Sequence, residues 1–151
     1  MISVRKSTKE DARYIATNLR EADKMELKAL GIQNNYACLK DAISETVCYT
    51  GYLYEKPVTM FGISPIEAGV GSVWLLGTDD IAERMPVSFL KYSKRLLPHL
   101  MEGYTIACNM VDKRNTVHIN WIKWLGFSFI REVTFGPENN IFYEFAKIKE
   151  T

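Results

Sequence analysis

Asn115-Thr-Val-His-Ile-Asn-Trp-Ile-Lys-Trp-Leu-Gly-Phe127 reads as a polar turn, an amphipathic helix and a Gly-Phe pair that opens a strand. Just upstream, Tyr104–Val111 has the β-rich composition of a strand. Downstream, Gly126–Val133 and Asn139–Ile148 are spaced as a closing hairpin. The end of the chain is therefore strand, turn, helix, strand, strand.

Toward the N-terminus, Ile2-Ser-Val-Arg-Lys alternates as a first strand, and Thr8-Lys-Glu-Asp11 fits a capping box ahead of a helix marked by Ala12, Ile15, Ala16 and Leu19. Ala22–Leu30 is a second helical run stopped by Gly31, and Tyr36–Ile43 a short third. Thr46–Leu53, Val58–Ile63 and Ser72–Leu76 form a three-strand meander with turns expected at Lys56-Pro57 and Glu67-Ala-Gly69. A short helix near Asp79–Arg84 follows. A longer one then runs from Pro86 to Met101, its buried stripe carried by Phe89, Leu90, Leu96, Leu97 and Leu100. Pro98 is placed to kink or fray its end. The order predicts one α/β domain over residues 1–151, with a mixed, mainly antiparallel sheet of about seven strands flanked by helices.

Composition narrows the function classes. The chain carries 19 basic and 18 acidic residues, so it lacks the excess of cations with which a nucleic-acid binder displaces counterions. Its densest basic cluster, Lys91, Lys94 and Arg95, has the spacing of a solvated helix face. No apolar run approaches the ~20 residues that span a bilayer, and the first residues show no apolar signal segment. Cys38, Cys48 and Cys108 have no paired spacing and sit in apolar contexts, which predicts small buried hydrophobes in a reducing compartment. His99 and His118 lie on different helices with no ligand at metal spacing, so no metal site is expected.

The element order, with Asn115 and Gly126-Phe127 at the ends of the last helix, resembles the GNAT superfamily of acyl-CoA-dependent N-acyltransferases along nearly the whole chain. That resemblance implies acetyl-CoA as a possible cofactor, with Leu76, Thr78 and Asn115 as the residues that would hold it. It also implies a splay between the strand ending near Leu76 and the strand from Tyr104, which in the family admits the pantetheine arm. Asn115 is equally suited to capping its helix.

Two departures from the family pattern bear on chemistry. Many members place a tyrosine, the proton donor to the leaving thiolate, where this chain has Ile122. The family's glycine-rich pyrophosphate turn is replaced by Leu76-Gly-Thr-Asp-Asp-Ile-Ala-Glu-Arg-Met-Pro-Val87, in which Gly77 is the only glycine, Asp79, Asp80 and Glu83 repel phosphate, and Arg84 alone cannot replace a cradle of amides. With these departures the chain is most similar to the small GNAT-like internal virion and virion-assembly proteins of short-tailed bacteriophages. That similarity implies a degenerate acetyl-CoA site, contacts with phage or host proteins, and a place in the host cell cytoplasm or the virion. The alternative is an atypical N-acetyltransferase modifying a host or phage amine.

His118, one turn after Asn115, is the candidate catalytic acid or base; the plainer reading is a partly buried histidine bonded to the neighbouring strand. Trp121 and Trp124 are expected in the core or as partner anchors. Glu26 and Lys28 fall where the family builds its acceptor site, or are plain surface charges. Cys108 has no neighbour in sequence that would activate it.

Overall fold

Thr8 starts the first helix as its sequence requires. In a computed structural model, which describes residues 2–83 and 87–150, the Asp11 amide donates to Thr8 Oγ1 and the Thr8 amide donates to the Asp11 carboxylate, closing the capping box. The elements are β1 (Ile2–Lys6), α1 (Lys9–Thr17), α2 (Glu21–Ala29), α3 (Asn35–Glu45), β2 (Cys48–Leu53), β3 (Lys56–Glu67), β4 (Val70–Gly77), α4 (Asp79–Glu83), α5 (Val87–Leu100), β5 (Ile106–Asp112), α6 (Thr116–Trp124), β6 (Ser128–Phe135) and β7 (Asn140–Ile148). The strands form one sheet in the order β1-β2-β3-β4-β5-β7-β6, antiparallel throughout except for β4 beside β5. This is the mixed, mainly antiparallel α/β sheet that the sequence predicts.

Alternation along the strands divides the core between two faces. Met60 and Leu76 pack under α1 and α3 with Ile15 and Leu39. Phe61, Val73 and Leu75 pack on the other face with Phe89 and Leu97 of α5 and Trp121 of α6. Helix α2 adds Leu27 to the α1/α3 layer. It crosses the end of the sheet, tied there by a bridge between Leu19 and Thr78 and by the Arg20 amide donating to the Gly77 carbonyl (2.9 Å).

Several boundaries differ from the sequence expectation for local reasons. The first hairpin turns at Tyr54-Glu55, whose φ angles of 50° and 68° supply the left-handed pair a two-residue turn needs. Lys56 and Pro57, expected as the turn, therefore belong to β3. That strand also runs on through Pro65 to Glu67, accommodating the proline with a register shift. Helix α5 runs past Pro98 to Leu100, one residue short of the expected Met101. Arg84 and Pro86, on which the sequence reading of the loop and of the next helix start drew, lie outside the described residues.

The β6–β7 turn packs on the end of α2. Gly136 has φ +86°, and a Cβ there would run into the Ala29 carbonyl oxygen, whereas Gly103 has φ +85° with open space around it. Gly103→Ala should cost about 1–2 kcal/mol from backbone conformation alone. Gly136→Ala should cost clearly more in the same urea titration; equal losses would show that the turn and α2 are not in contact.

Candidate functional site

Strands β4 and β5 pair in parallel only over Val70–Ser72 and Ile106–Cys108, and then part. Along β4, every second residue turns its main chain toward β5. The Gly69 carbonyl accepts from the Ile106 amide (3.0 Å), the Val73 carbonyl accepts from Asn109 Nδ2 (2.8 Å), and the Gly77 carbonyl accepts from the Arg20 amide. Leu75 lies between these residues on the same edge, so its amide and carbonyl face the gap. On β5, the Met110 amide donates to Asn109 Oδ1 (2.7 Å). Asn109 thus clips the two strands together where the splay begins.

The wide end of the splay is braced by two acid side chains from α2. Asp23 is fully buried, 0% exposed. Its Oδ2 accepts from the Gly77 amide (2.8 Å), and its Oδ1 accepts from Arg20 Nη1 (2.8 Å) and Asn115 Nδ2 (3.0 Å). Arg20 Nη1 also donates to Asn115 Oδ1 (3.2 Å). One turn further on, Glu26 Oε1 accepts from the Asp112 amide (2.7 Å) at the end of β5. Main-chain donors that the parting strands would leave bare are therefore satisfied by two side chains. Beyond them, Arg114 grips Asp112 through Nε and Nη2. Burial pushes the Asp112 carboxyl up, but this fork brings it below the usual carboxylate range.

Behind this brace a pocket of about 400 Å³ runs through the splay from the α3 side to the α6 side. Leu39 and Trp74 wall one end and Trp121 and Ile122 the other, with Glu26 and His118 among its few polar groups. Its volume is in the range of small-molecule sites, ~300–1,000 Å³. His118 is 3% exposed. Its Nε2 lies 3.2 Å from Asp23 Oδ1, outside hydrogen-bonding angles and without another partner, and its Nδ1 is 3.9 Å from Glu26 Oε2. Burial lowers the His118 pKa to about 4, Asp23 opposing and Arg20 reinforcing the shift. Burial, with Asp23 and Asp112 nearby, raises the Glu26 pKa to about 8. At neutral pH the pocket therefore holds an unprotonated imidazole and a protonated carboxyl.

The residues singled out from sequence separate. Asn115, 1% exposed, gives no side-chain cap to α6; its amide is committed to Arg20 and Asp23. Leu76 lines the pocket and packs in the α1/α3 core, and its carbonyl accepts from Thr59 Oγ1 (2.8 Å). Thr78 is buried and bonds through its amide to the Val58 carbonyl (2.9 Å). His118 faces α2, not the neighbouring strand. Glu26 is buried, so it is not the surface charge that Lys28 is. Trp121 is core, with Nε1 donating to Ser93 Oγ (3.2 Å), whereas Trp124 is 39% exposed. Burial raises the Cys108 thiol, opposite to what a nucleophile needs. Among the described residues no group of three or more His, Cys, Asp or Glu side chains could hold a metal, and no helix is long and apolar enough to cross a membrane.

Sequence reasoning did not single out Arg20 and Asp23. A signal existed: Asp23 and Glu26 fall at i and i+3 of the stripe that Leu27 and Leu30 continue at i+4 and i+7, which puts two acids on an apolar face.

No family profile and no curated protein matches the sequence. Solved structures do match the fold. A putative acetyltransferase, yncA, from Salmonella typhimurium, solved with acetyl-CoA, superposes with a TM-score of 0.75 at 11% identity, covering 99% of this chain and 94% of that one. Ard1 from Thermoplasma volcanium gives 0.73 at 14%, covering 99% of each. A GNAT-family acetyltransferase from Streptococcus pneumoniae gives 0.67 at 13%, covering 99% and 100%. At these identities the likeness establishes a GNAT fold.

The two buried groups titrate with opposite consequences for stability. The Glu26 pKa of about 8 lies above its ordinary 4.5, so the unfolded chain releases that proton first and stability falls as pH rises through this window. The His118 pKa of about 4 lies below 6.5, so the unfolded chain takes up a proton first and stability falls as pH drops through that one. Urea unfolding should show a plateau between about pH 4.5 and 6.5, where the slopes oppose, with losses on both sides. Glu26→Gln should flatten the alkaline loss and, with the opposing slope gone, replace the plateau by a steady fall as pH drops from about 6.5 to 4. A wild-type curve already flat from pH 6.5 to 8 would contradict a buried, proton-bearing Glu26.

Proposed function

We propose that this chain is a GNAT-fold protein whose own side chains fill the cofactor entry, and that it works through protein contacts instead of acyl transfer. One observation carries the reading. Asp23 and Glu26 hold the main-chain amides of Gly77 and Asp112 at the wide end of the splay, where a cofactor arm would have to pass. Asn115, the family's pantetheine residue by resemblance, is bonded to Asp23 and Arg20. Ile122 supplies no proton, and the stretch after β4 carries Asp79 and Asp80 where a pyrophosphate needs amides. A buried Asp23 carboxylate whose arginine and asparagine partners are already committed to it is a poor reception for a polyanionic nucleotide. The resemblance to internal virion and virion-assembly proteins supports phage or host proteins as partners, and the host cell cytoplasm or the virion as the place of action.

A second reading, an atypical acetyl-CoA-dependent N-acetyltransferase, draws on the pocket. The Leu75 amide and carbonyl face it unpaired, as an edge that an amide-bearing arm would match. Glu26, protonated at neutral pH, is a proton donor where Ile122 has none. In that reading His118 would act as base, although an imidazole of pKa about 4 has little basicity at neutral pH.

Thermal unfolding with and without acetyl-CoA separates the two. Ligand at about 100 times its dissociation constant stabilises a protein by ~2.7 kcal/mol. A braced splay gives no change in Tm at millimolar acetyl-CoA. A rise of several degrees that Leu75→Pro or Asn115→Ala abolishes would overturn the non-catalytic reading.

A further inference from the structure

The outer side of α5 and α6 has a one-sided charge that the rest of the chain lacks. These helices, of 14 and 9 residues, carry Lys91, Lys94, Arg95, His99 and Lys123 and no aspartate or glutamate, in a chain whose totals of 19 basic and 18 acidic residues nearly balance. Among the described residues, the ion pairs at salt-bridge distance include none made by Lys91, Lys94, Arg95 or Lys123.

The cations surround an aromatic floor. Lys91, Lys94, Arg95 and Trp124 line a groove of about 450 Å³. Trp124 Nε1 donates to the Leu90 carbonyl (2.9 Å), which fixes the ring, and Lys94 Nζ sits 4.4 Å from the ring centroid. Arg95 leans over Tyr92 at 5.7 Å. A rigidly held, part-exposed tryptophan beside cations that make no ion pair among the described residues is the composition of an interface anchor, not of an ordinary solvated helix face.

We infer that this groove docks an acidic segment of another protein. An apolar or aromatic side chain enters beside Trp124, and flanking Asp and Glu side chains pair with Lys91, Lys94 and Arg95. Charge complementarity selects the partner's sign. The small extent of the patch on a chain of formal net charge +1 favours a short acidic peptide over a nucleic acid, which needs a longer run of cations. The inference rests on the protein-contact role proposed above and names the kind of partner. The groove shares no residue with the splay pocket.

Fluorescence anisotropy on the full chain tests it with three labelled probes. They are an acidic peptide of about twelve Glu and Asp residues around one Trp, its Lys counterpart, and a single-stranded oligonucleotide of about twenty nucleotides. The acidic peptide should bind, and the other two should not at physiological salt. Lys94→Glu with Arg95→Glu should weaken binding by roughly tenfold or more, as should Trp124→Ala alone, with unchanged thermal unfolding to show that the variants fold. Oligonucleotide binding as tight as that of the acidic peptide would reassign the groove to nucleic acid. No acidic-peptide binding, or binding indifferent to the charge reversal, would overturn the inference. A Tm shift with acetyl-CoA would overturn the non-catalytic reading while leaving these outcomes intact.

Discussion

Asp23 is the constraint around which this structure is organised. A fully buried carboxylate is tolerated only when its charge is paired and its oxygens are bonded. Here Arg20, Asn115 and the Gly77 amide meet those demands at 2.8, 3.0 and 2.8 Å. Those three donors come from the start of α2, the start of α6 and the end of β4. One side chain therefore fixes the helix that crosses the sheet end, the strand beneath it and the helix on the opposite face. Breaking such a pair by deleting one partner typically costs ~3–5 kcal/mol, because the other is left buried and charged. A ligand that needed the same space would have to repay that before gaining anything.

The same network explains why the splay is half open. A parallel pair whose strands diverge exposes main-chain donors on both inner edges, and each must find a partner. Asn109 serves the narrow end, Asp23 and Glu26 the wide end, and Leu75 between them keeps its amide and carbonyl on the open edge. What remains is a half-open pocket of about 400 Å³ lined mostly by apolar side chains. The GNAT fold is complete, and the wide end of its splay is braced by Asp23 and Glu26.

Much of the fold was legible because it is written locally. The capping box at Thr8, the stop at Gly31 and the Asn115–Phe127 helix each depend on residues within one or two turns. The first hairpin misled because Tyr54-Glu55 takes left-handed angles usually met by glycine or asparagine, while Lys56-Pro57 looks like a turn. The site was much less legible. Asp23 and Asn115 are 92 residues apart, and Glu26 meets Asp112 across 86. Nothing in either neighbourhood says which distant backbone amide a carboxylate will meet. Asn115 was found by its place in a family pattern, yet its bonds here are to residues the pattern does not mention. Trp121 and Trp124, three residues apart, divide between core and surface because α6 turns one toward Ser93 and leaves the other at its edge.

Hydrogen exchange of individual backbone amides addresses the brace most directly. Gly77 and Asp112 face a gap between strands, yet each donates to a buried acid side chain. If the brace holds the splay shut, both amides exchange as slowly as the paired strand around Ala107, and Asp23→Ala speeds Gly77 selectively. Gly77 and Asp112 exchanging in the wild type at the rate of an unpaired edge would contradict a closed cofactor entry.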